Sequence, residues 1–460
     1  MSAKLDLPLL PNKPLWFSHC PARERLEGTV DADVVIVGAG YTGLWSAYYL
    51  LKSDPSLRVV LLDRQEVGFG ASGRNGGWAS AIFPISLQRV AQLYSHDAAL
   101  HLQAAMNETV DEIGRVLSLE GIEADYAKQG FVSLARSGPQ MARAQATVAA
   151  STRFGLPEQW RVLDATQARA SLGAQDTVGA LYTEHCALIH PGKLVHGLAA
   201  RVERLGAKIY HHSTVTSMTP GLVHTDRGSV RAGMTVRATE AFTSQQPDGS
   251  RAVIPLYSLV LATEPLPPER LASLGLDHRM AFNDMRHLRV YGQVTADGRL
   301  VFGGRGAPYR WGSKMSAAAD LVDRTHARLY DTLLDFFPAL HDARISHRWG
   351  GALAVSRDWC PSVSIDRSQR LAWAGNYVGD GVATSNLAGR ILRNLILERD
   401  EPINGLPLVN HRSPVWEREP LRWFGVNGGL AAASLSDLEE RLTHQPSRTA
   451  KLLEKLTGAH

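Results

Sequence analysis

The chain has 460 residues, of which 44% are apolar and 20% charged, with a formal net charge of +4. That length supports two domains with sizeable cores, and the balance is that of a globular enzyme, not of a disordered or fibrous chain. The basic excess is scattered, which argues against a nucleic-acid stripe, and no run approaches the roughly eighteen apolar residues of a membrane helix. Cys20, Cys186 and Cys360 lie far apart without C-x-x-C spacing. They predict a reducing compartment, the cytoplasm, with neither a disulfide framework nor a zinc site. Pro8, Pro11, Pro14 and Pro21 punctuate residues 1–30, which have no apolar signal-like core and predict an arm lying on the protein's own surface.

Residues 34–37 are an uninterrupted β-branched run, the mark of a parallel strand buried on both faces. Gly38, Gly40 and Gly43 then fit G-x-G-x-x-G. A helix is predicted over 42–52 and a second strand over 58–62, with Asp63 at its end. The first glycine permits the tight turn, the second lets backbone approach a pyrophosphate, and the third lets helix pack on strand. The helix amides and dipole favour phosphate, and Asp63 is placed to accept hydrogen bonds from a ribose. Strand, helix, strand and acid in this order predict a bound dinucleotide, held by Gly38, Gly40, Tyr41, Thr42, Gly43, Asp63 and Arg64; a glycine turn without a ligand is the alternative. A second glycine-rich loop spans 68–77. Gly70, Ala71, Ser72, Arg74, Asn75, Gly76 and Gly77 there offer amides and side-chain donors to another pyrophosphate face and to an isoalloxazine ring, with Trp78 directly after them. A nicotinamide dinucleotide would explain the first motif and leave this loop without a purpose.

The Gly-Ala-Ser-Gly-Arg-Asn-Gly-Gly run resembles the FAD-dependent amine and amino-acid oxidoreductases related to D-amino-acid oxidase, glycine oxidase and monomeric sarcosine oxidase, most of all their γ-glutamylputrescine oxidase branch. The resemblance implies a mixed α/β and α+β fold: a discontinuous Rossmann-like FAD-binding domain with an inserted mixed-sheet substrate domain of the D-amino-acid oxidase type. The expected pieces are 31–85, 190–245 and 355–400 for FAD, and 86–189 and 246–354 for substrate. The arm (1–30) and a C-terminal wrap with a helix (401–460) flank them.

Further along, apolar periodicity over 86–120 predicts two long amphipathic helices. A strand is expected over 131–134 and a helix over 140–154. His190-Pro191-Gly192 opens a helix over 194–205 that leads to a strand over 208–210, again a crossover unit. By resemblance, Val215 meets adenine through its backbone, and residues 234–238 return beneath the flavin. They end Ala238-Thr239-Glu240-Ala241-Phe242, where the family shows Ala-Thr-Asn-Ala-Tyr. A strand over 257–263 and a hairpin about Asp297-Gly298 belong to the second sheet, with Gly292-Gln293 where the family often has Tyr-Arg. A helix over 315–337 and strands over 345–355 and 371–375 follow. Gly379-Asp380-Gly381, where the family usually has Gly-His-Gly, then opens a helix over 383–397; with Val382 and Ala383 it forms a second cradle of free amides. Ser436-x-x-Glu439 reads as the capping box of a last helix.

By this resemblance FAD carries the chemistry, its N5 taking a hydride while the N1–C2=O edge gains negative charge that the helix start after Gly381 offsets. Val355, not a cysteine, stands where some relatives bond FAD covalently, so the resemblance implies a dissociable cofactor. Trp78, Arg305, Arg348 and Trp349 are the substrate-pocket candidates: an arginine to clasp a carboxylate, an indole to wall the ring. For both arginines the alternative is an ion pair at the surface or between domains. The implied reaction oxidises the C–N bond of a small amine or amino acid, a γ-glutamylated amine among them, to an imine that water hydrolyses to an aldehyde or keto acid. Dioxygen is the expected electron acceptor, giving hydrogen peroxide. An aminophosphonate substrate, a quinone or carrier protein as acceptor, and a non-catalytic nucleotide-binding protein are the alternatives. No metal, nucleic acid or membrane enters this reading, and the sequence leaves the oligomeric state open.

Overall fold

The computed structural model describes residues 13–17 and 20–457, so Pro8 and Pro11 of the expected arm lie outside the described residues. The chain opens with β1 (Gly28–Val37), α1 (Tyr41–Ser53), β2 (Val59–Leu62), β3 (Trp78–Ser80), α2 (Leu87–Leu93) and α3 (His96–Glu120). The middle contains β4 (Phe131–Ala135), α4 (Gly138–Arg153), β5 (Arg161–Leu163), α5 (Ala165–Ser171), β6 (Gly179–Thr183), β7 (Cys186–Leu188), α6 (Pro191–Arg204) and β8 (Lys208–Tyr210). Then come β9 (Val215–Thr219), β10 (Leu222–Thr225), β11 (Gly228–Arg237), β12 (Ile254–Thr263), α7 (Pro268–Ser273), β13 (Ala281–Asp284), β14 (Val290–Val294) and β15 (Leu300–Gly304). The last third is α8 (Asp323–Phe336), β16 (Ile345–Val355), β17 (Ser362–Asp366), β18 (Leu371–Gly375), α9 (Gly381–Ile396), α10 (Leu421–Thr443) and α11 (Arg448–Thr457).

One sheet runs β17-β18-β11-β1-β2-β8, with the β9–β10 hairpin attached through β11. In it β1 pairs in parallel with β2 on one side and with β11 on the other. The chain order therefore reverses at β1, and in a parallel sheet that crevice beyond the strand ends is where ligands bind. The second sheet runs β16-β12-β15-β14-β13-β4-β6-β5, and its β12 and β16 pair over their whole lengths. Each sheet has its own apolar core: Val34, Ile36, Leu61 and Val236 lie in the first, Val132, Phe282, Phe302 and Phe336 in the second.

Several expectations are corrected. Residues 86–120 form one short helix and one of 25 residues, started by Ser95, whose side chain accepts the Ala98 N–H, and stopped at left-handed Gly121. Val90, Met106, Val110 and Ile113 of these helices share the core of α1 and α9, so packing divides the stretch 86–189: α2 and α3 sit with the first sheet, β4 to β6 in the second. The helix expected from residue 315 starts only at Asp323, whose charge suits a first turn. Ser436 caps nothing. It lies inside α10 and donates back to Ala432 O, as helical serines do, while Glu439 accepts the N–H groups of Arg448 and Thr449 at the start of α11. The arm is shorter than expected, since β1 begins at Gly28, and it does not merely lie on the surface. Trp16 is 2% exposed, donates its indole N–H to Asn75 O at 2.7 Å, and packs edge-on against Trp349. No helix among the described residues is long and apolar enough to cross a membrane.

Candidate active site

Where β1, β2 and β11 end, a cleft of about 370 Å³ opens. Gly38, Gly40, Tyr41 and Thr42 line it from the start of α1, Asp63 and Arg64 from the end of β2, and Val215 from β9. Ala238 and Thr239 follow β11 into it; Gly70, Ala71, Ser72 and Asn75 come from the glycine loop; Gly379, Gly381 and Val382 come from the start of α9. The cleft thus has two helix N-termini, and neither carries a side-chain cap. Gly40 has no side chain to offer, and Asp380 makes no capping bond. The Tyr41 amide is taken by Ser72 Oγ at 2.8 Å, which leaves the next amides of α1 to a ligand. Two uncapped, electropositive helix ends suit a diphosphate and an electron-rich ring edge. At the far end the Asp63 carboxylate accepts the N–H of Ala39 at 2.8 Å and of Gln65 at 2.9 Å. Burial pushes its pKa up against those two bonds, and its remaining lone pairs are free for ribose hydroxyls. These residues fit FAD.

Glu240, unexplained by the sequence, ties the two sheets together here. It sits in the left-handed region (φ +42°), and its carboxylate accepts Ala354 N–H at 2.7 Å and Tyr377 N–H at 3.0 Å. One partner ends β16 of the second sheet; the other begins the turn that leads to α9. Burial pushes this carboxyl up to about 7 against those amides. A carboxyl raised above its unfolded value of 4.5 contributes stability below that value and loses it as pH rises towards 7. Replacing Glu240 by glutamine is therefore expected to flatten the fall in unfolding free energy across that window by on the order of 1–2 kcal/mol, read by urea titration at stepped pH. Glu240→Ala strands both amides and should cost about 2–3 kcal/mol throughout.

A second cavity of about 190 Å³ adjoins the cleft and shares Ala71, Asn75, Leu353, Gly379 and Val382 with it. Its far side is the β14–β15 hairpin. Val290 pairs with Gly304 there, and the same register sets Arg289 opposite Arg305, whose N–H bonds Arg289 O at 3.0 Å. Like charges facing each other across strands are unfavourable unless an anion joins them. Arg305 stacks on Trp359 with its guanidinium carbon 5.1 Å from the ring centre, and donates to Val378 O at 2.7 Å. Burial and the neighbouring Arg289 push its pKa down to about 10, opposed by Asp380. Asp380 lines the same cavity, and burial pushes its carboxyl up to about 6 against both arginines. Tyr291, hydrogen-bonded to Ser258 at 2.9 Å, and Asn283 add to the polar lining.

Of the residues expected to touch the cofactor, Arg74, Gly76, Trp78 and Asp380 line this second cavity instead, while Gly43, Gly77 and Ala383 line neither space. Gly43 packs against Gly38 O and the Ile36 side chain, and Ala383 is buried. Arg74 is used within the protein, donating to Phe69 O and Gly350 O, so it clamps the loop onto β16. Of the substrate candidates, Trp78 and Arg305 face the cavity; Arg348 and Trp349 do not. Neighbouring residues of a strand point to opposite faces, so the two could never have shared one pocket. Arg348 pairs with Asp323 of α8 at 2.5 Å, and Trp349, 0% exposed, donates its indole N–H to Arg74 O at 2.9 Å. His190 caps α6 through Nδ1, which accepts the Lys193 N–H at 3.1 Å. Arg289, Asn283, Tyr291 and Trp359 escaped the sequence reading. The signal for Arg289 was there, since it lies as far before Asp297 as Arg305 lies after it.

Comparison with known proteins shows the family and the fold. Residues 33–395 match the FAD dependent oxidoreductase (DAO) family. A gamma-glutamylputrescine oxidoreductase of Escherichia coli is 30% identical over 393 residues, covering 84% of this chain and 88% of its own. A probable oxidoreductase, OrdL, of Haemophilus influenzae is also 30% identical, over 81% of this chain and 84% of its own. The crystal structure of glycine oxidase from Geobacillus kaustophilus superposes with a TM-score of 0.69 at 19% identity, covering 84% of this chain and 100% of that one; it shows the shared fold. The chain belongs to the FAD dependent oxidoreductase family that its glycine loops resemble, and it is an FAD-dependent oxidoreductase enzyme.

Proposed function

We propose that this enzyme oxidises the C–N bond of a small amine or amino acid bearing an acidic group, yielding an imine that water hydrolyses to an aldehyde or keto acid. The observation that carries this reading is Arg305, a cation held against Trp359 and Val378 O in a cavity that shares part of its lining with the cleft. A guanidinium so placed binds a carboxylate or phosphonate and sets the C–N bond beside the cleft. When bound, FAD supplies the hydride acceptor. The helix start after Asp380 would stabilise negative charge on the bound cofactor, and the rings of Trp78 and Tyr291, packed edge-on at 5.7 Å, wall the cavity. Among the described residues no cysteine or histidine lines either space, which supports a dissociable FAD. A γ-glutamylated amine, as in the name of the Escherichia coli relative, falls within this class, and dioxygen is the proposed final acceptor, giving hydrogen peroxide.

The test is anaerobic mixing of the yellow holoenzyme with glycine, sarcosine, iminodiacetate, aminoethylphosphonate and γ-glutamylputrescine. At least one acidic amine should bleach the oxidised flavin band, and admitting air should restore it with stoichiometric peroxide. A flavin that no amine bleaches removes the reading. Bleaching without peroxide on aeration moves the acceptor to a quinone or carrier protein.

A further inference from the structure

We propose that Asp380 grips the ammonium group of the substrate and takes a proton from it, which makes this residue the catalytic base of the reaction. The inference rests on the amine chemistry proposed above and assigns a residue to it. Aspartate is among the best N-cap residues, yet Asp380 stands at the N-cap of α9 without capping it. Its side chain instead lines the second cavity, and no protein donor hydrogen-bonds its carboxylate among the described residues. The rest of that cavity is equally unfinished. Asn283 is 7% exposed, and its side-chain oxygen is buried without a partner; the Trp78 indole N–H is likewise buried and unpaired. Buried polar atoms left open in this way are costly unless a ligand completes them.

The charges around the cavity sort a zwitterion. Arg305 and Arg289 face Asp380 from the hairpin, the Cys186 thiol of β7, which burial keeps protonated, also senses it, and the Tyr291 phenol lines the same cavity. An acidic group at the arginines directs the ammonium towards Asp380 and the Asn283 oxygen. An ammonium nitrogen has no lone pair, so it cannot form the C=N bond as hydride leaves carbon. In the proposed step one N–H bond of the ammonium breaks and its electron pair stays on nitrogen. An O–H bond forms on Asp380, and cation and anion become two neutral groups. Burial, which raises the carboxyl to about 6, makes it a base matched to neutral pH. The retained pair then becomes the second C–N bond.

Two compounds without a hydrogen on the α-carbon test binding apart from turnover: 2-aminoisobutyrate, and trimethylacetate, which has a methyl in place of the ammonium. Wild-type holoenzyme should prefer 2-aminoisobutyrate above the titration of Asp380, and the preference should fade as pH drops through about 6. In Asp380→Asn the preference should fall about 10- to 100-fold, as expected for a lost charge-assisted hydrogen bond. With the fastest amine, kcat/KM at neutral pH should drop by about 10²–10⁴ and then climb with pH as the free amine deprotonates itself. If Asp380→Asn binds no flavin, Asp380→Glu must keep both the preference and the wild-type acid limb, the fall of kcat/KM as pH drops through about 6. Equal binding of the two compounds by wild type, an unchanged preference or acid limb in Asp380→Asn, or loss of both in Asp380→Glu overturns the proposal. Failure of every amine to bleach the flavin removes the amine reading instead, and the binding pair still reports on Asp380.

Discussion

Gly43→Ala is expected to purify without its flavin. A Cβ at position 43 would lie 2.0 Å from Gly38 O and 3.1 Å from the Ile36 side chain. The carbonyl cannot retreat, because Gly38 is itself in a left-handed conformation (φ +111°) with Ala238 O 2.4 Å from where its own Cβ would stand. The helix must give way instead, and with it the amides of α1 that face the cleft. Overpacking of this kind costs about 1–3 kcal/mol even where neighbours can adjust, and here the strain falls on the phosphate-binding geometry itself. FAD affinity should fall by at least about 100-fold, since 1.4 kcal/mol is tenfold and several free-amide contacts move together. The ratio of flavin to protein absorbance after gel filtration reads this directly. Gly425→Ala, in α10 with nothing within 4 Å of the new methyl, serves as the control and should remain fully yellow. A Gly43→Ala protein with stoichiometric FAD would mean that the start of α1 does not hold the cofactor.

That glycine was legible because its constraint is local: turn, helix and strand lie within one short stretch, and spacing alone encodes them. The same holds for Asp63, which closes its unit at the end of β2, and for the hairpin about Asp297. What failed was facing. Arg348 and Trp349 looked equally suitable from sequence, but the long pairing of β12 with β16 sends them to opposite faces, and neither reaches the cavity. Glu240 and Asp380 were visible only as departures from a pattern. Their roles depend on partners far along the chain: Ala354 and Tyr377 for one, Arg305 for the other. The helices α2 and α3 show the same limit, since amphipathic periodicity says that a helix buries a face but not against which sheet. Ser436-x-x-Glu439 fits the capping pattern yet falls inside a continuous helix, so its Glu439 ends up serving the next one.

Arg305→Met should separate acid recognition from the rest of the site. Methionine keeps much of the arginine stem's bulk against Trp359 while removing the charge and the bond to Val378 O. The substrate's acidic group then loses a charge-assisted, fork-shaped partner in a partly desolvated cavity, worth about 3–4 kcal/mol, so KM should rise by about 10²–10³ for an amine bearing a carboxylate. An amine of similar size without the acid should be far less affected. Lysine at this position cannot both reach Val378 O and clasp two oxygens, so Arg305→Lys should recover only part of the loss. A second consequence follows from charge. Arg305 is the strongest opponent of the burial that raises Asp380, so its removal should drive that carboxyl above about 6 and carry the acid limb of kcat/KM to higher pH. Arg348→Met supplies the contrast: Arg348 pairs with Asp323 and lines neither cavity, so KM and the acid limb should stay where they are. A purely structural role for Arg305 would lower stability and rate together but would neither discriminate by the acidic group nor move the limb, and steady-state kinetics across pH on the two amines distinguishes the cases.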